Sequence, residues 1–439
     1  MERHSRRKFL RLPNASPGVR ARPAERSLRL GFIGVGDRGS WHLDVALGIP
    51  GIEIPALCDI NNAYLYRAKR WVEESGRPTP RLYNRSETDF ERLCGEEDLD
   101  AVICSTPWDS HVPVCLAAMR NEKHAVCEVP MLLTVDEGWE LVETYESTGY
   151  WATLGFKDAH SALSNMIYRG VLGEILHCES GYVHDLRLVK FDPEREPWRL
   201  HHSVRRNGNL YPDHPITNMM PLMDINCGDR FDYLVSMSSK AMMLNEFAGF
   251  YYGKDHPYAT QPMALGDYNA TLIRTAGGKM ITLNHDTGTP HPREEFRVQG
   301  TKGIFFRQRG FGEQIYLDGV SPEAHRWEDA EPYLEEYEHP LVKSYSPPER
   351  TGLRGHGSSS RRTPLEWHRV VEALREGRIT DYDVYDSVTS SVISPLSERS
   401  VAMNGRPVDF PDFTRGKWKE RPRFEARVQP SLQQGEATR

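Results

Sequence analysis

A chain of 439 residues, 38% hydrophobic and 27% charged, is long enough for two packed domains and has the composition of a soluble globular protein. Its net charge of −7, with acids and bases interspersed, gives no footprint for nucleic acid, and no run approaches the roughly 18–20 apolar residues of a membrane span. The seven cysteines are odd in number, scattered and without CxxC spacing, so neither a disulfide framework nor a metal site is expected.

The N-terminal "SRRKFL" (Ser5–Leu10) resembles the opening of a twin-arginine export signal, but a polar, proline-rich stretch follows it. Such a signal needs about 7–15 apolar residues next. Residues 1–27 therefore read as a disordered leader and the protein as cytoplasmic, with twin-arginine export as the alternative. The first regular element is the apolar run ending in glycines at Leu28–Ser40, followed by a helical pattern. "IEIPALCDI", "DAVICSTP" and "KHAVCEVP" are further short β-type runs, each followed by helical spacing. Thr134 with Glu137 opens one of these helices as a capping box. Strand–helix alternation over 28–155 predicts a Rossmann-type, doubly wound parallel sheet.

From residue 156 the pattern changes. A helix end and a glycine turn lead into a long strand through "GYVHDLRL". "DYLVSMSSKAMML", "YNATLIRTAGGKMITLNHD" and "FRVQGTKGIFF" read as further strands, with Gly-Gly as a hairpin turn. An α+β domain over 156–418 with a large, mostly antiparallel open sheet is predicted. Residues 309–362 read as irregular, two helical patterns over 363–404 as packing back on the first domain, and 419–439 as a tail. The stretch "RRNGNLYPDHPITN" carries too much Gly, Asn and Pro for an ordinary helix or strand, yet it holds Tyr211 and His214.

Gly34-Val35-Gly36-Asp37-Arg38-Gly39 matches G-x-G-x-x-G after a strand and before a helix, the context the motif needs. The first glycine permits the turn, the second admits a pyrophosphate, and the third packs helix against strand. Asp59 ends the second strand about twenty residues on and would accept ribose hydroxyls while repelling a 2′-phosphate. NAD is therefore expected rather than NADP, with Arg38 as the contrary signal. Loops after parallel strands line the ligand crevice, which makes Trp108 and His111 of "STPWDSH" and Glu128 of "CEVP" cofactor or substrate contacts by position. Trp108 also reads as a packed rim aromatic, and His111 as a cap of the following helix.

The chain resembles the Gfo/Idh/MocA superfamily and, within it, glycoside hydrolase family 109, the NAD-dependent α-N-acetylgalactosaminidases. The carriers are "TPWDSH", "EVP", "GYVHDLR", "WRLHHSVRRNGNLYPDH", "HDT", "VQGTKG" and "DVYDSVTSSVISPLSERSVA", spread over nearly the whole chain. Dehydrogenases of the superfamily carry Glu-Lys-Pro where this chain has Glu128-Val129-Pro130, which fits the glycosidase branch. The resemblance implies redox hydrolysis of a carbohydrate: transient oxidation at C3, deprotonation at C2, elimination at C1, water addition and regeneration of NAD. It implies Tyr182, His184 and His214 as catalytic residues, with Tyr182 the C2 base and His214 the handler of the C3 hydroxyl proton. Tyr182, Arg199 and Tyr211 would hold the sugar. Gly34, Gly36, Asp37, Arg38, Gly39, Asp59, Ser105, Trp108, His111, Glu128, Val129, Tyr211 and His214 would line the cofactor. A homo-oligomer, dimer or tetramer, through the C-terminal sheet is implied as well.

Four departures stand out. The Glu-Asn-x-x-Tyr segment of the family is absent from "YWATLGFKDAH". Arg293 falls where a substrate tyrosine is expected and suggests a more acidic ligand. "GHGSSS" (Gly355–Ser360) lacks the family's acid. Asp213 and Pro215 are new in "YPDHP", where Asp213 would raise the pKa of His214 if within about 4–6 Å. A superfamily oxidoreductase without hydrolysis and a catalytically impaired NAD-binding homologue are the alternatives.

Overall fold

The computed structural model describes residues 27–155, 161–193, 196–293, 295–345 and 362–427. The leader expected at the N-terminus lies outside these residues, apart from Ser27. So do "GHGSSS" and the part of "YWATLGFKDAH" beyond Gly155.

Six strands form the first sheet: β1 (Leu28–Ile33), β2 (Ile52–Cys58), β3 (Arg81–Tyr83), β4 (Ala101–Cys104), β5 (His124–Cys127) and β6 (Ala152–Leu154). Every pairing is parallel and the order is β3-β2-β1-β4-β5-β6. β4 and β5 are buried at every position, as a sheet covered on both faces requires. Helices α1 (Asp37–Leu47), α2 (Asn62–Glu74), α3 (Phe90–Glu96), α4 (His111–Arg120) and α5 (Val135–Thr148) make the crossovers. The Thr134–Glu137 capping box is formed at α5.

The second sheet has nine strands: β7 (Ile175–Val183), β8 (Phe231–Ser238), β9 (Asn269–Thr275), β10 (Met280–Asp286), β11 (Glu295–Gly300), β12 (Gly303–Gln308), β13 (Gly312–Leu317), β14 (Glu328–Asp329) and β15 (Val408–Asp409). Their order is β14-β13-β12-β11-β7-β10-β9-β8-β15, antiparallel except for β7 with β10. The region read as irregular from residue 309 thus supplies two strands, β14 at the edge of the sheet and β13 beside it. Three other local readings change. The chain leaves β7 at Val183 and turns into a short helix at Arg187–Phe191. "MML" opens a helix at Met243–Tyr252 rather than extending a strand. The C-terminal helical pattern breaks at Val392 into Val384–Ser391 and Ile393–Ala402.

The C-terminal helices contact the first sheet. Trp367, fully buried on the helix Arg362–Glu376, donates its indole N–H to His42 of α1 at 3.2 Å. Hydroxyls of Ser387 and Ser391 accept from the backbone N–H of Leu154 and Met131, each at 2.9 Å.

Residues 419–427, read as tail, pack on the helix Val384–Ser391. Phe424 is buried, and Arg421 and Arg427 both reach the buried carboxylate of Asp386. Burial works to raise that carboxyl, but the two arginines outweigh it and hold it at about 2, below its ordinary 3.8. A lowered carboxyl contributes stability above its unfolded value, and this is lost as pH falls from about 4 toward 2. Arg427→Ala is expected to cost about 3 kcal/mol at neutral pH. It should also move acid unfolding to higher pH, as read by circular dichroism against pH.

Candidate active site

The carboxyl ends of β1, β2, β4 and β5 meet the second domain across a cleft of about 530 Å³. Its floor is the glycine turn. Gly34 sits at φ +80°, where a Cβ would lie 2.6 Å from the carbonyl oxygen of Ser105. At Gly39 a Cβ would lie 1.9 Å from the carbonyl oxygen of Gly34, so the turn closes on the first turn of α1. No side chain caps α1 at its Gly36 N-cap. Its first N–H groups and its positive end therefore face the cleft, which suits a pyrophosphate.

Asp59 braces this turn. Its carboxylate accepts the N–H of Val35 and of Asn61, each at 2.7 Å. Burial raises its pKa against these bonds. It lines the cleft, and its remaining lone pairs are available to ribose hydroxyls.

Glu128, after β5, lines the cleft and ties the end of β5 to α1. Arg38 pairs with it at 3.2 Å and packs over Trp41. His42 Nε2 lies 2.7 Å from the same carboxylate oxygen. Because the indole of Trp367 can only donate, His42 Nδ1 is the acceptor and Nε2 carries the proton given to Glu128. Burial lowers the pKa of His42, with Glu128 opposing. Sequence reasoning missed His42 and Trp367, whose only signal was their place on the buried faces of two helices.

Trp108 is buried against Trp198, His202 and Tyr211, with ring centroids 4.5–5.3 Å apart, and forms a wall of the cleft. The ring nitrogens of His111 meet the carbonyl oxygens of Pro130 at 2.6 Å and Thr106 at 2.8 Å. His111 thus ties two cleft loops together, and its side chain does not cap α4. Ser105 and Val129 also line the cleft. The cysteines are less scattered in space than in sequence. Cys104 and Cys127 are register partners on β4 and β5, and their sulfurs lie within 4.8 Å of each other and of a His111 nitrogen. Burial raises the Cys104 thiol, but Cys127 and His111 outweigh it and leave it at about 6.

At the other end of the cleft, Tyr182 on β7 stacks nearly parallel to Tyr211 and to His214, each at 4.5 Å. The Tyr182 hydroxyl is 3.2 Å from His184 Nδ1. Burial, then Arg293, pushes His184 down to about 4, so its ring is neutral at physiological pH. Arg199, on the helix Trp198–Arg205, pairs with Glu196 at 2.5 Å, donates to the Tyr211 hydroxyl and packs over Trp198 at 4.4 Å. Burial raises the Tyr211 hydroxyl against the pull of Arg199.

The segment "NLYPDHP" is a loop only as far as Pro212, which caps a helix over Asp213–Met219. Pro215 falls in the first turn, where a missing N–H costs nothing. His214 is thereby fixed at a helix start, facing Tyr182. The Asp213 carboxylate accepts from the hydroxyls of Ser390 and Ser391 at 2.9 and 2.7 Å, which ties this helix to the C-terminal bundle.

Of the residues singled out in the sequence, Gly34, Gly36, Asp37, Arg38, Asp59, Ser105, Trp108, His111, Glu128, Val129, Tyr182, Arg199, Tyr211 and His214 line one cleft. Gly39 lies beneath it, and His184 stands beside Tyr182. Arg293 does not line the cleft. Its backbone has φ +146° with its N–H on His291 Nδ1 at 3.0 Å, and its charge reaches the site through His184.

The family described as an oxidoreductase family with an NAD-binding Rossmann fold matches residues 28–156. The glycosyl hydrolase 109 C-terminal domain matches 156–420. Glycosyl hydrolase family 109 protein 1 of Shewanella sp. (strain MR-4) is 38% identical over 407 residues, covering 90% of this chain and 87% of the relative. The family 109 protein of Shewanella pealeana is 38% identical over 419 residues, covering 93% and 90%. A levoglucosan dehydrogenase solved with NADH and levoglucosan shares the fold, with a TM-score of 0.66 at 19% identity over 88% of this chain and all of that one. An oxidoreductase domain protein from Kribbella flavida gives a TM-score of 0.65 at 19% identity over the same shares. The glycine turn, the bare N-terminus of α1 and Asp59 form the cradle that NAD requires. The chain belongs to glycosyl hydrolase family 109, an enzyme family built on an NAD-binding Rossmann domain.

Proposed function

We propose that this enzyme hydrolyses a glycoside through transient oxidation at C3, with NAD held throughout the cycle. The observation that carries the reading is the meeting of Tyr182, His214, Tyr211 and Arg199 at one end of the cofactor cleft. The proton-handling groups that face each other there are rings, not the two carboxylates of ordinary glycosidases. Among the described residues that line this end, the acid is Glu196, and it is paired with Arg199.

In this reading Gly34, Gly36, Arg38, Asp59, Trp108, Glu128 and Val129 hold the cofactor. NAD supplies reversible oxidation of the sugar, which acidifies the proton at C2. His214 takes and returns the C3 hydroxyl proton, a role that suits an imidazole because its two ring nitrogens can accept and donate. Tyr182 removes the C2 proton, and its neutral neighbour His184 accepts from or donates to the hydroxyl as required. Arg199, with Tyr211, fixes the sugar against this wall, and the C1 group leaves by elimination before water adds. Val129 in place of a lysine removes a permanent cation from beside the cofactor.

Assembly through the second sheet belongs to the same proposal. Met237 and Leu272 stand 71% and 42% exposed on the face of β8 and β9 opposite the buried Leu234 and Ile273.

The test is a panel of neutral and acidic aryl glycosides, with and without added NAD. Aglycone release without net NADH is the expected result. Net NADH would instead identify a sugar oxidoreductase, and tight NAD binding with neither product an impaired homologue.

A further inference from the structure

Behind the tyrosine wall lie two buried polar groups that the proposed reaction does not use. Lys190 is 2% exposed, and among the described residues its amine has one hydrogen-bond partner, Thr287 Oγ1 at 2.7 Å. His285 is fully buried, and neither ring nitrogen has a hydrogen-bond partner among the described residues. Its ring lies parallel to that of Tyr211 at 5.7 Å. His285 is also the register partner of Tyr182 across β10 and β7, so both side chains stand on one face of the sheet.

An ammonium has three donors to satisfy, and a buried site with one acceptor favours the free amine. The surrounding charges agree. Arg199 faces Lys190 from the helix Trp198–Arg205, Asp286 from β10, Asp185 from the turn before its own helix, and Asp267 from the segment before β9. Asp185 is already paired with Arg187. Asp286 accepts the N–H groups of Gly288 and Thr289, and Asp267 those of Met242 and Met243. Burial first, then Arg199, brings Lys190 down to about 7. Burial, then Lys190, brings His285 down to about 3, so the ring adds no second cation.

We propose that Lys190 is a positioning residue: as a free amine it puts no like charge behind Arg199, and on gaining a proton it repels Arg199 from its place between Glu196 and Tyr211. This rests on the reading that Arg199 and Tyr211 hold the sugar. The site then binds sugar well only while Lys190 is uncharged.

The experiment compares wild type with Lys190→Met and Lys190→Gln, each loaded with NAD. For wild type, KM is expected to rise about threefold as pH falls by one unit through the amine's midpoint near 7, and to approach a tenfold rise per unit below it, with kcat changing less. Both variants should lose this rise. A second readout needs no substrate. A lysine whose folded pKa is lowered makes the protein more stable as pH rises from about 7 toward the ordinary 10.5. That slope in unfolding free energy should vanish in both variants. An acid limb in KM that persists in the variants, or is absent from wild type, overturns the proposal, whatever the stability data show. If no glycoside is turned over, the reading of the reaction fails. Sugar affinity by calorimetry over the same pH range then decides the role of Lys190 by the same criterion.

Discussion

Tyr182→Phe is expected to lower kcat for glycoside hydrolysis by about 10³-fold and to leave NAD affinity unchanged. Phenylalanine keeps the ring, and with it the parallel packing on Tyr211 and His214. It removes only the hydroxyl that meets His184 Nδ1. A tyrosine ionises near pH 10 when unperturbed, so its use as a base depends on charge close by. Arg199 provides that charge, and it keeps it through every step of the cycle. The effect is therefore expected in kcat, with KM little moved, since the ring still forms the wall on which the sugar rests. Steady-state kinetics with an aryl glycoside, beside a cofactor titration, read both quantities. A loss smaller than about tenfold would remove Tyr182 from the role of base.

Gly39→Ala is expected to abolish cofactor retention and to destabilise the first domain by about 3 kcal/mol. The added Cβ would lie 1.9 Å from the carbonyl oxygen of Gly34, a backbone atom of the turn directly after β1 whose N–H is held by the Cys58 carbonyl. Neither partner is a flexible side chain that can swing aside. The start of α1 must then lift from the strand, carrying away the N–H groups that face the pyrophosphate. Thermal unfolding with and without NAD checks this: wild type should gain stability from the cofactor and the variant should not. A variant that retains NAD as wild type does would contradict the placement of the phosphates at this turn.

Much of this architecture could be read from the chain because local signals coincided there. The glycine turn, the buried runs at β4 and β5 and the Thr134 capping box each demand one local structure, and together they require a parallel sheet. The reading was less secure where tertiary contacts outweigh local preference. "NLYPDHP" looked hostile to a helix, yet Pro212 and Pro215 sit at the cap and in the first turn, where proline is tolerated. The partners of the Asp213 carboxylate, Ser390 and Ser391, lie far along the chain and could not be read from its own segment. Arg293 was aligned with a substrate residue, but its side chain does not line the cleft. His42, Lys190 and His285 carry no motif. Their significance comes from burial beside the cleft, and burial of single polar residues leaves no periodic trace in a sequence.

The most direct test of the central claim uses an aryl glycoside carrying deuterium at C2 and the NAD-loaded enzyme in ordinary water. Removal of the C2 proton by Tyr182 predicts that the released sugar contains hydrogen at C2 in place of deuterium, with aglycone freed and no NADH accumulating. Released sugar that keeps all of its C2 deuterium would contradict the elimination route.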